Sequence, residues 1–341
     1  MLDGLGFQVW LIDKLPDLTK IVKFVQYYNV KWISYKLAQD SDLHNDENGA
    51  FLTFEKHLQV LTELGVDIGM WQFLSGRYPT ESAITVLNIF SAFKNKGLKF
   101  LQVDAEDGIW NEAGAVNSAK TYLNKLTELP ANIIISLNSY RYISSFPSFP
   151  FGTFLAHSQV SEIHSQLYWE FSHNPEFQLE KSLQEYRNLS AKKFVPMFPV
   201  YFRGIPETQG SWGPTEEDML EFIRACNNNN LTCYGGFRLE KVFEHYDTYG
   251  YKWMRGLTGK ENMNLVPEPS PVPQPTIHAI VTSYALNVRS SPWGSIVTTI
   301  PKNFVLPVEK EVLDSSNRSW YKLHGGNFYV AAWYTDIYKI A

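Results

Sequence analysis

Eight short apolar runs, each followed by an amphipathic stretch, constrain the folding of this chain more than any other feature. They begin at Gly6 ("GFQVWLI"), Lys31 ("KWISYKL"), Val66 ("VDIGMWQF"), Lys99 ("KFLQVDAE"), Asn132 ("NIIISLNSY"), Ile163 ("IHSQLYWE"), Lys193 ("KFVPMFPVY") and Leu231 ("LTCYGGF"). Between them, segments such as "DLTKIVKFVQYY", "TFEKHLQVLTEL", "ESAITVLNIFSAFKNKG" and "TEEDMLEFIRACNNNN" place apolar residues three and four apart, as amphipathic helices require. Strand and helix alternating at roughly thirty-residue intervals are parallel βα units. Eight of them predict an α/β fold, the (β/α)8 TIM barrel. An open doubly wound sheet is the alternative, but no Gly-rich phosphate turn follows the first strand.

The pattern stops at "LVPEPSPVPQPTI", residues 265–277, where five prolines alternate with other residues. Such a segment favours extended polyproline geometry and reads as a semi-rigid linker. It separates a barrel over residues 1–264 from a tail over residues 278–341, whose Val, Ile, Tyr and Trp runs, with turn signals at Ser-Pro, Ser-Ser-Asn and Gly-Gly, predict a small all-β barrel.

The net charge of −5, without a cluster of Lys and Arg, offers no footprint for a phosphate backbone, so nucleic acid is not an expected partner. The two cysteines, Cys226 and Cys233, read as buried free thiols, with a bridge between them as the alternative. No segment approaches a membrane span, and "MLDGLGFQVWLIDKLPD" lacks the basic and apolar regions of a signal peptide. The expectation is a protein made in the cytoplasm and released by phage lysis or particle delivery. Nothing in the pattern sets an oligomeric state.

Two resemblances add to this reading. At "LNVRSSP" (Leu286–Pro292), "SWYKL" (Ser319–Leu323) and "FYVAAWY" (Phe328–Tyr334) the tail resembles bacterial SH3 domains. That resemblance implies a module holding a cell-wall hydrolase on peptidoglycan. The first domain resembles glycoside-hydrolase TIM barrels with D-x-E at the end of strand 4, among them lysozyme-like muramidases and chitinase-like enzymes. The segments "GFQVW", "YKLAQD", "GMWQFLSG", "VDAED", "LNSYRY" and "QLYWE" also resemble, in that order, a little-characterised set of bacterial and phage barrel proteins. The chain departs from the chitinase-like D-x-x-D-x-D-x-E at Lys99 and Gln102, and from the muramidase strand-1 Asp, where it has Gln8 and then Asp13.

Period-two alternation puts Phe100, Gln102, Asp104 and Glu106 on one face and Leu101, Val103 and Ala105 on the other. The apolar set should meet the helices, so the acids face the interior near the C-terminal mouth, where such barrels build active sites. Two carboxylates this close do not both ionise cheaply, so one pKa should rise. Glu106 is the expected general acid for a glycosidic oxygen, and Asp104 its helper. A partner carboxylate roughly 5 to 5.5 Å away implies retention and one roughly 6.5 to 9.5 Å away inversion, whereas a substrate-assisted route needs only a helper for a 2-acetamido group. All three stay open.

On strand 6, Gln166 and Tyr168 are candidates for binding a hydroxyl or acetamide, and Glu170 for a further catalytic carboxylate. Asn138 and Tyr140, with Arg141 beyond, project from strand 5; Lys36 closes strand 2, Gln72 strand 3, and Tyr201 with Arg203 strand 7, and of these Lys36, Gln72, Asn138 and Tyr140 are candidates for binding substrate. Trp10, Trp71 and Trp169 are candidate stacking platforms, packing beneath the helices being the other reading. An ion pair with Lys36 or Arg141 would explain the two acids structurally instead. His157, His164 and His173 form no ligand spacing, so neither metal nor cofactor is expected. The function implied is a glycoside hydrolase of cell-wall polysaccharide, above all peptidoglycan; the alternative is a barrel that binds carbohydrate or builds a particle without catalysis.

Overall fold

The computed structural model describes residues 1–44, 49–206, 210–261, 263, 277–302, 304–323 and 327–339. The chain divides into two compact units, Met1–Met263 and Asn264–Ala341. The linker expected at 265–277 lies outside the described residues apart from Ile277, which opens a strand.

In the first unit the eight runs form β1 (Gly4–Val9), β2 (Trp32–Gln39), β3 (Asp67–Leu74), β4 (Leu98–Ala105), β5 (Ile134–Ser139), β6 (Val160–Gln166), β7 (Lys193–Pro199) and β8 (Cys233–Phe237). Each pairs in parallel with its sequence neighbours, and β1 pairs with both β2 and β8, so the sheet closes into a TIM barrel. Helices α1 (Leu18–Tyr28), α2 (Ala50–Glu63), α3 (Pro79–Ala92), α4 (Ala115–Leu126), α5 (Phe151–Ala156), α6 (Pro175–Leu189) and α7 (Glu216–Asn228) fall between consecutive strands; α8 (Leu239–Glu244) and α9 (Tyr251–Thr258) follow the last.

Local chemistry explains where helices start and stop. Asp17 caps α1 by accepting the Lys20 N–H, and Asn29 ends it in the left-handed region. Pro79 and Pro175 open α3 and α6, where a missing N–H costs nothing, and Thr215 and Asp218 form a reciprocal capping box on α7. Buried stripes such as Ile21, Phe24, Val25 and Tyr28 on α1 meet the outward strand residues, with Phe24 edge-on to Phe7 at 5.9 Å.

The barrel interior is filled from the bottom. Trp32, Phe100, Val195, Met197 and Cys233 pack together with Leu2, which precedes β1. The Trp32 indole occupies the space of two absent side chains: a Cβ on Gly6 would lie 1.9 Å from its Cδ2, and one on Gly235 would lie 2.4 Å from its Cη2. Beside this plug runs a buried polar chain. Gln8 Nε2 donates to Gln102 Oε1 (2.9 Å), and Gln102 Nε2 meets His164 Nδ1 (2.7 Å). With Nδ1 accepting, the ring proton sits on Nε2 and goes to Glu162 Oε2 (3.1 Å), whose other oxygen accepts the Leu2 N–H at 2.6 Å. Burial opposes the charge on Glu162, but His164, Leu2 and Lys193 together hold its carboxyl below the usual range. His164 is thus structural, and Cys226 and Cys233 are buried free thiols.

The second unit is a small all-β domain of antiparallel strands β9 (Ile277–Val281), β10 (Ala285–Arg289), β11 (Ile296–Pro301), β12 (Val305–Leu313), β13 (Ser319–Leu323), β14 (Tyr329–Ala331) and β15 (Thr335–Lys339), in the order β11-β10-β14-β13-β12-β9-β15. Its core gathers Val281, Leu286, Val288, Leu306, Val308 and Trp320. In the turn after β12, the Asp314 carboxylate accepts the indole N–H of Trp293 (2.6 Å) and of Trp320 (3.2 Å) and the N–H groups of Ser316 and Arg318. These donors hold its pKa far below the usual carboxylate range. Trp293, Trp333 and Tyr334, each about half exposed, border a groove of about 690 Å3 with Arg289 and Arg318.

Since Trp32 fills the void at Gly6, Gly6→Ala is expected to destabilise the barrel by about 1–3 kcal/mol through overpacking. Urea unfolding measures it; an unchanged midpoint would mean that the indole yields without cost.

Candidate active site at the barrel mouth

Asp104 is the last inward residue of β4, in register with Asn138 on β5. It is 5% exposed, and its Oδ1 accepts Gln166 Nε2 (2.7 Å) and Asn138 Nδ2 (3.1 Å). Burial pushes its carboxyl well above the ordinary value, and the neighbouring Glu106 pushes the same way, against Lys36 and the Gln166 bond. Glu106 follows the strand. Burial, then the charge of Asp107, raises its carboxyl to about 7, opposed by a hydrogen bond from Gln166 and by Lys36. An acid at that value holds a proton at neutral pH and releases it readily, as a general acid must.

The turn carrying Glu106 is pinned by backbone bonds. Asp107 and Gly108 both take positive φ (53° and 60°), and the Asp107 N–H donates to the Tyr140 hydroxyl at 2.7 Å. A Cβ on Gly108 would lie 2.1 Å from the Ser75 carbonyl oxygen, so only glycine fits there. The same carbonyl accepts the Ile109 N–H (3.0 Å), while the Ser75 N–H and hydroxyl both donate to Asp40 (2.7 and 2.8 Å).

Both acids open into a cavity of about 260 Å3 with an aromatic wall of Trp10, Tyr168, Tyr201 and Phe237. Tyr168 and Phe237 lie nearly parallel, centroids 5.2 Å apart and planes 18° apart. Gln166, Arg203 and Arg238 supply polar groups on the same lining. A larger hollow of about 460 Å3, bordered by Arg187, Lys192, Lys193 and Thr232, holds no acid; it lies where β7 and β8 begin, the end at which such barrels do not place their sites.

Asp104, Glu106, Gln166 and Tyr168 therefore meet around one cavity, with Asn138 bonded to Asp104 from the neighbouring strand. Lys36, 6% exposed, does not line this cavity: its ammonium lies 5.0 Å from the ring centroids of both Trp10 and Trp71 and 5.7 Å from that of Phe73, and donates to Gln39 at 3.1 Å. Burial lowers its pKa while Asp104 and Glu106 act to raise it. Among the described residues, neither Lys36 nor Arg141 forms an ion pair with the two acids; Arg141 donates instead to the Tyr168 carbonyl at 2.9 Å.

Several sequence-based assignments need correction. Gln72 is not a substrate group: it points out of the barrel, donating to the carbonyls of Asp40 and Ser82 and accepting from Tyr122 on α4. Its neighbour Trp71 takes the inward position, and alternation sends Gln72 the other way. Trp169 is fully buried against Phe222 of α7, ring centroids 5.6 Å apart, so no sugar reaches it. Glu170 does not line the cavity; it pairs with Arg203 (2.8 Å) and accepts from the Tyr201 hydroxyl. The Tyr140 hydroxyl is occupied by Asp107, its ring stacked 3.5 Å from Phe146, which makes it a support for the Glu106 turn. Of the candidate platforms, Trp10 lines the cavity, and Trp71 lies buried beside it with its indole N–H on the Val9 carbonyl. Phe237 and Arg238 were missed. Parity at the end of β8 points Phe237 inward, in register with Gln8.

Among the described residues, no group of three His, Cys, Asp or Glu side chains is arranged to hold a metal ion, and no helix is long and apolar enough to cross a membrane. No protein-family model matches the chain, and no curated protein matches its sequence. Its TIM-barrel fold is shared with several solved structures. The chain is similar to the spore cortex-lytic enzyme SleL of Bacillus cereus (TM-score 0.57, 10% identity, covering 76% of this chain and 74% of that one). It is similar also to a chitinase from Bacteroides thetaiotaomicron (0.56, 9%, 78% and 100%) and to the catalytic domain of a family GH18 chitinase from the fern Peteris ryukyuensis (0.50, 13%, 74% and 99%). At such identities the likeness is one of fold.

The raised carboxyl of Glu106 has a thermodynamic consequence. Between its ordinary 4.5 and about 7, the folded protein keeps a proton that the unfolded chain has released, so stability is lost as pH rises through that window. Glu106→Gln removes this penalty. Urea unfolding should find the variant more stable than the wild type at pH 8, by on the order of 3 kcal/mol, with the gap closed by pH 4. An equal gap at both pH values would refute the raised pKa.

Proposed function

We propose that this chain is a glycoside hydrolase acting on cell-wall polysaccharide, foremost peptidoglycan, with Glu106 as general acid and Asp104 as its helper. The observation that carries the reading is a pair of desolvated carboxyls, Glu106 and Asp104, both with raised pKa, at the mouth of a barrel and facing a cavity walled by aromatic rings. Aromatic faces suit pyranose rings, and a carboxyl near 7 suits protonation of a glycosidic oxygen. The fold it shares with a spore cortex-lytic enzyme and two chitinases agrees with this substrate class.

With Glu170 engaged by Arg203 and Tyr201, Asp104 and Glu106 are the acids bordering the cavity, and a substrate-assisted route fits them best. Glu106 gives its proton to the glycosidic oxygen as the C1–O bond breaks, and the carbonyl oxygen of the substrate's own 2-acetamido group bonds to C1. Asp104, steadied by Asn138 and Gln166, receives the acetamido N–H. Water then attacks C1, the bond from C1 to the acetamido oxygen breaks to restore the 2-acetamido group, and the water's proton passes to Glu106.

The tail is proposed to act as an SH3-like anchor, its exposed Trp333 and Tyr334 meeting the wall, and the protein to work there after release by phage lysis or particle delivery. A second reading, a carbohydrate-binding or structural barrel without catalysis, draws on Lys99 and Gln102. Lys99 pairs with Asp67 at the strand's start, and Gln102 is spent on the interior chain, so neither supplies the additional acids of chitinase-like barrels.

Wild type and Glu106→Gln incubated with purified peptidoglycan and with chitin oligomers separate the readings. New reducing ends, detected by mass spectrometry, should appear with wild type and fall by roughly 10²–10⁴-fold in the variant. Release from neither substrate by wild type leaves the non-catalytic reading standing. Equal release by both proteins removes Glu106 from its role. Separately, Trp333→Ala in the full chain should reduce retention on sedimented cell walls, and undiminished retention would count against the anchor.

A further inference from the structure

Arg238 is held in place more firmly than a surface arginine needs to be. It follows β8 directly in the left-handed region, φ 79° and ψ 62°, a conformation that is strained for a residue bearing a Cβ. Its N–H donates to the Gln8 carbonyl at 3.0 Å, and its Nε donates to Glu240 Oε1 at 3.1 Å. Glu240 is 1% exposed, and its Oε2 accepts the Trp10 N–H at 3.2 Å. One buried carboxylate thus orients two residues of the cavity lining, the arginine and the ring it stacks against, whose centroid lies 5.0 Å from the guanidinium carbon.

Among the described residues, no hydrogen bond or ion pair engages the Nη atoms of Arg238. They remain as paired donors beside the cavity, a geometry that matches a carboxylate bidentately. Arg203 borders the same cavity with its Nε on Glu170 at 2.8 Å. The two facing acids, Asp104 and Glu106, hold protons at neutral pH more readily than ordinary carboxyls, which limits the repulsion an anion would meet there.

We infer that this cavity selects a sugar unit carrying a carboxylate, received by the Nη atoms of Arg238, with Glu240 as its positioning residue. The inference rests on the reading of the cavity as a sugar site and narrows the sugar's chemistry. Two sources present that group: a uronic acid, with the carboxylate on C5, and a muramic acid free of peptide, with it on the lactyl ether.

Isothermal titration of the full chain with glucuronic acid, glucose, N-acetylmuramic acid and N-acetylglucosamine tests the inference and tells the sources apart. At least one acid should bind roughly tenfold more tightly than its neutral counterpart, equivalent to ~1.4 kcal/mol, and the one that does identifies the source. Arg238→Gln should abolish that preference, Arg238→Lys should keep part of it, and Glu240→Gln should weaken it, with thermal unfolding confirming that each variant folds. Equal binding of acid and neutral sugars, binding of none, or a preference that survives Arg238→Gln overturns the inference. The hydrolase reading is judged apart, by reducing ends: acid-selective binding without cleavage sinks that reading alone, whereas cleavage by a chain that shows no acid preference sinks only this one.

Discussion

The barrel depends on how its lower interior is filled. Eight parallel strands enclose a space that side chains must occupy to native density, and a void there would leave the inner faces without partners. Here one indole does much of the filling. Trp32 reaches across ground left open by Gly6 and Gly235, and Phe100 lies edge-on to it at 6.0 Å. A second glycine, Gly69, makes room for Phe100 in the same way: a Cβ there would fall 2.4 Å from the ring. Three residues without side chains are thus the counterpart of two large rings, and neither set is tolerable without the other.

A dry, filled interior sets the electrostatics above it. Water that would stabilise ionised Asp104 from below is replaced by hydrocarbon and by amides already committed to one another. The Gln8–Gln102–His164–Glu162 chain satisfies its members in sequence, although among the described residues Gln8 Oε1 and Asn138 Oδ1 are buried without a hydrogen-bond partner. Lys36 supplies the positive charge that keeps the two acids from rising further, and it is held by three aromatic faces and Gln39 rather than by either acid. The acids accordingly face the cavity instead of being locked in ion pairs, which separates a site available to a ligand from a structural bridge.

Much of this was legible in the sequence because buried parallel strands and amphipathic helices write different periods. Parity alone brought Asp104, Asn138, Gln166 and Tyr168 to one side of the sheet. It fails at Gln72 and Trp169, where polarity or aromaticity outweighs it, and at Glu170, where the strand has already ended. Gln72 reads as a site residue by its polarity, but Trp71 beside it has the better claim to the interior, and the space behind the strand offers two carbonyls and a tyrosine hydroxyl for the Gln72 amide. Trp169 reads as a platform by its aromaticity, but it alternates with Tyr168 and packs outward against Phe222. Glu170 lies four residues past the end of β6, where the period of two no longer determines direction. Arg238 was illegible for another reason: its position depends on a left-handed backbone angle and on a buried glutamate two residues away, and no local pattern announces either.

The link from Asp40 through Ser75 to Gly108 ties together the connections after β2, β3 and β4. Loops on barrels of this kind are commonly treated as exchangeable parts mounted on a common frame. In this chain three of them form one mechanical unit, because the turn bearing Glu106 takes its shape from a carbonyl on the preceding loop, which is itself fastened to the one before. A graft that replaces only one leaves the others without their template, so new specificity would have to enter by exchanging all three together or from the opposite side of the mouth, where Tyr201 and Phe237 stand.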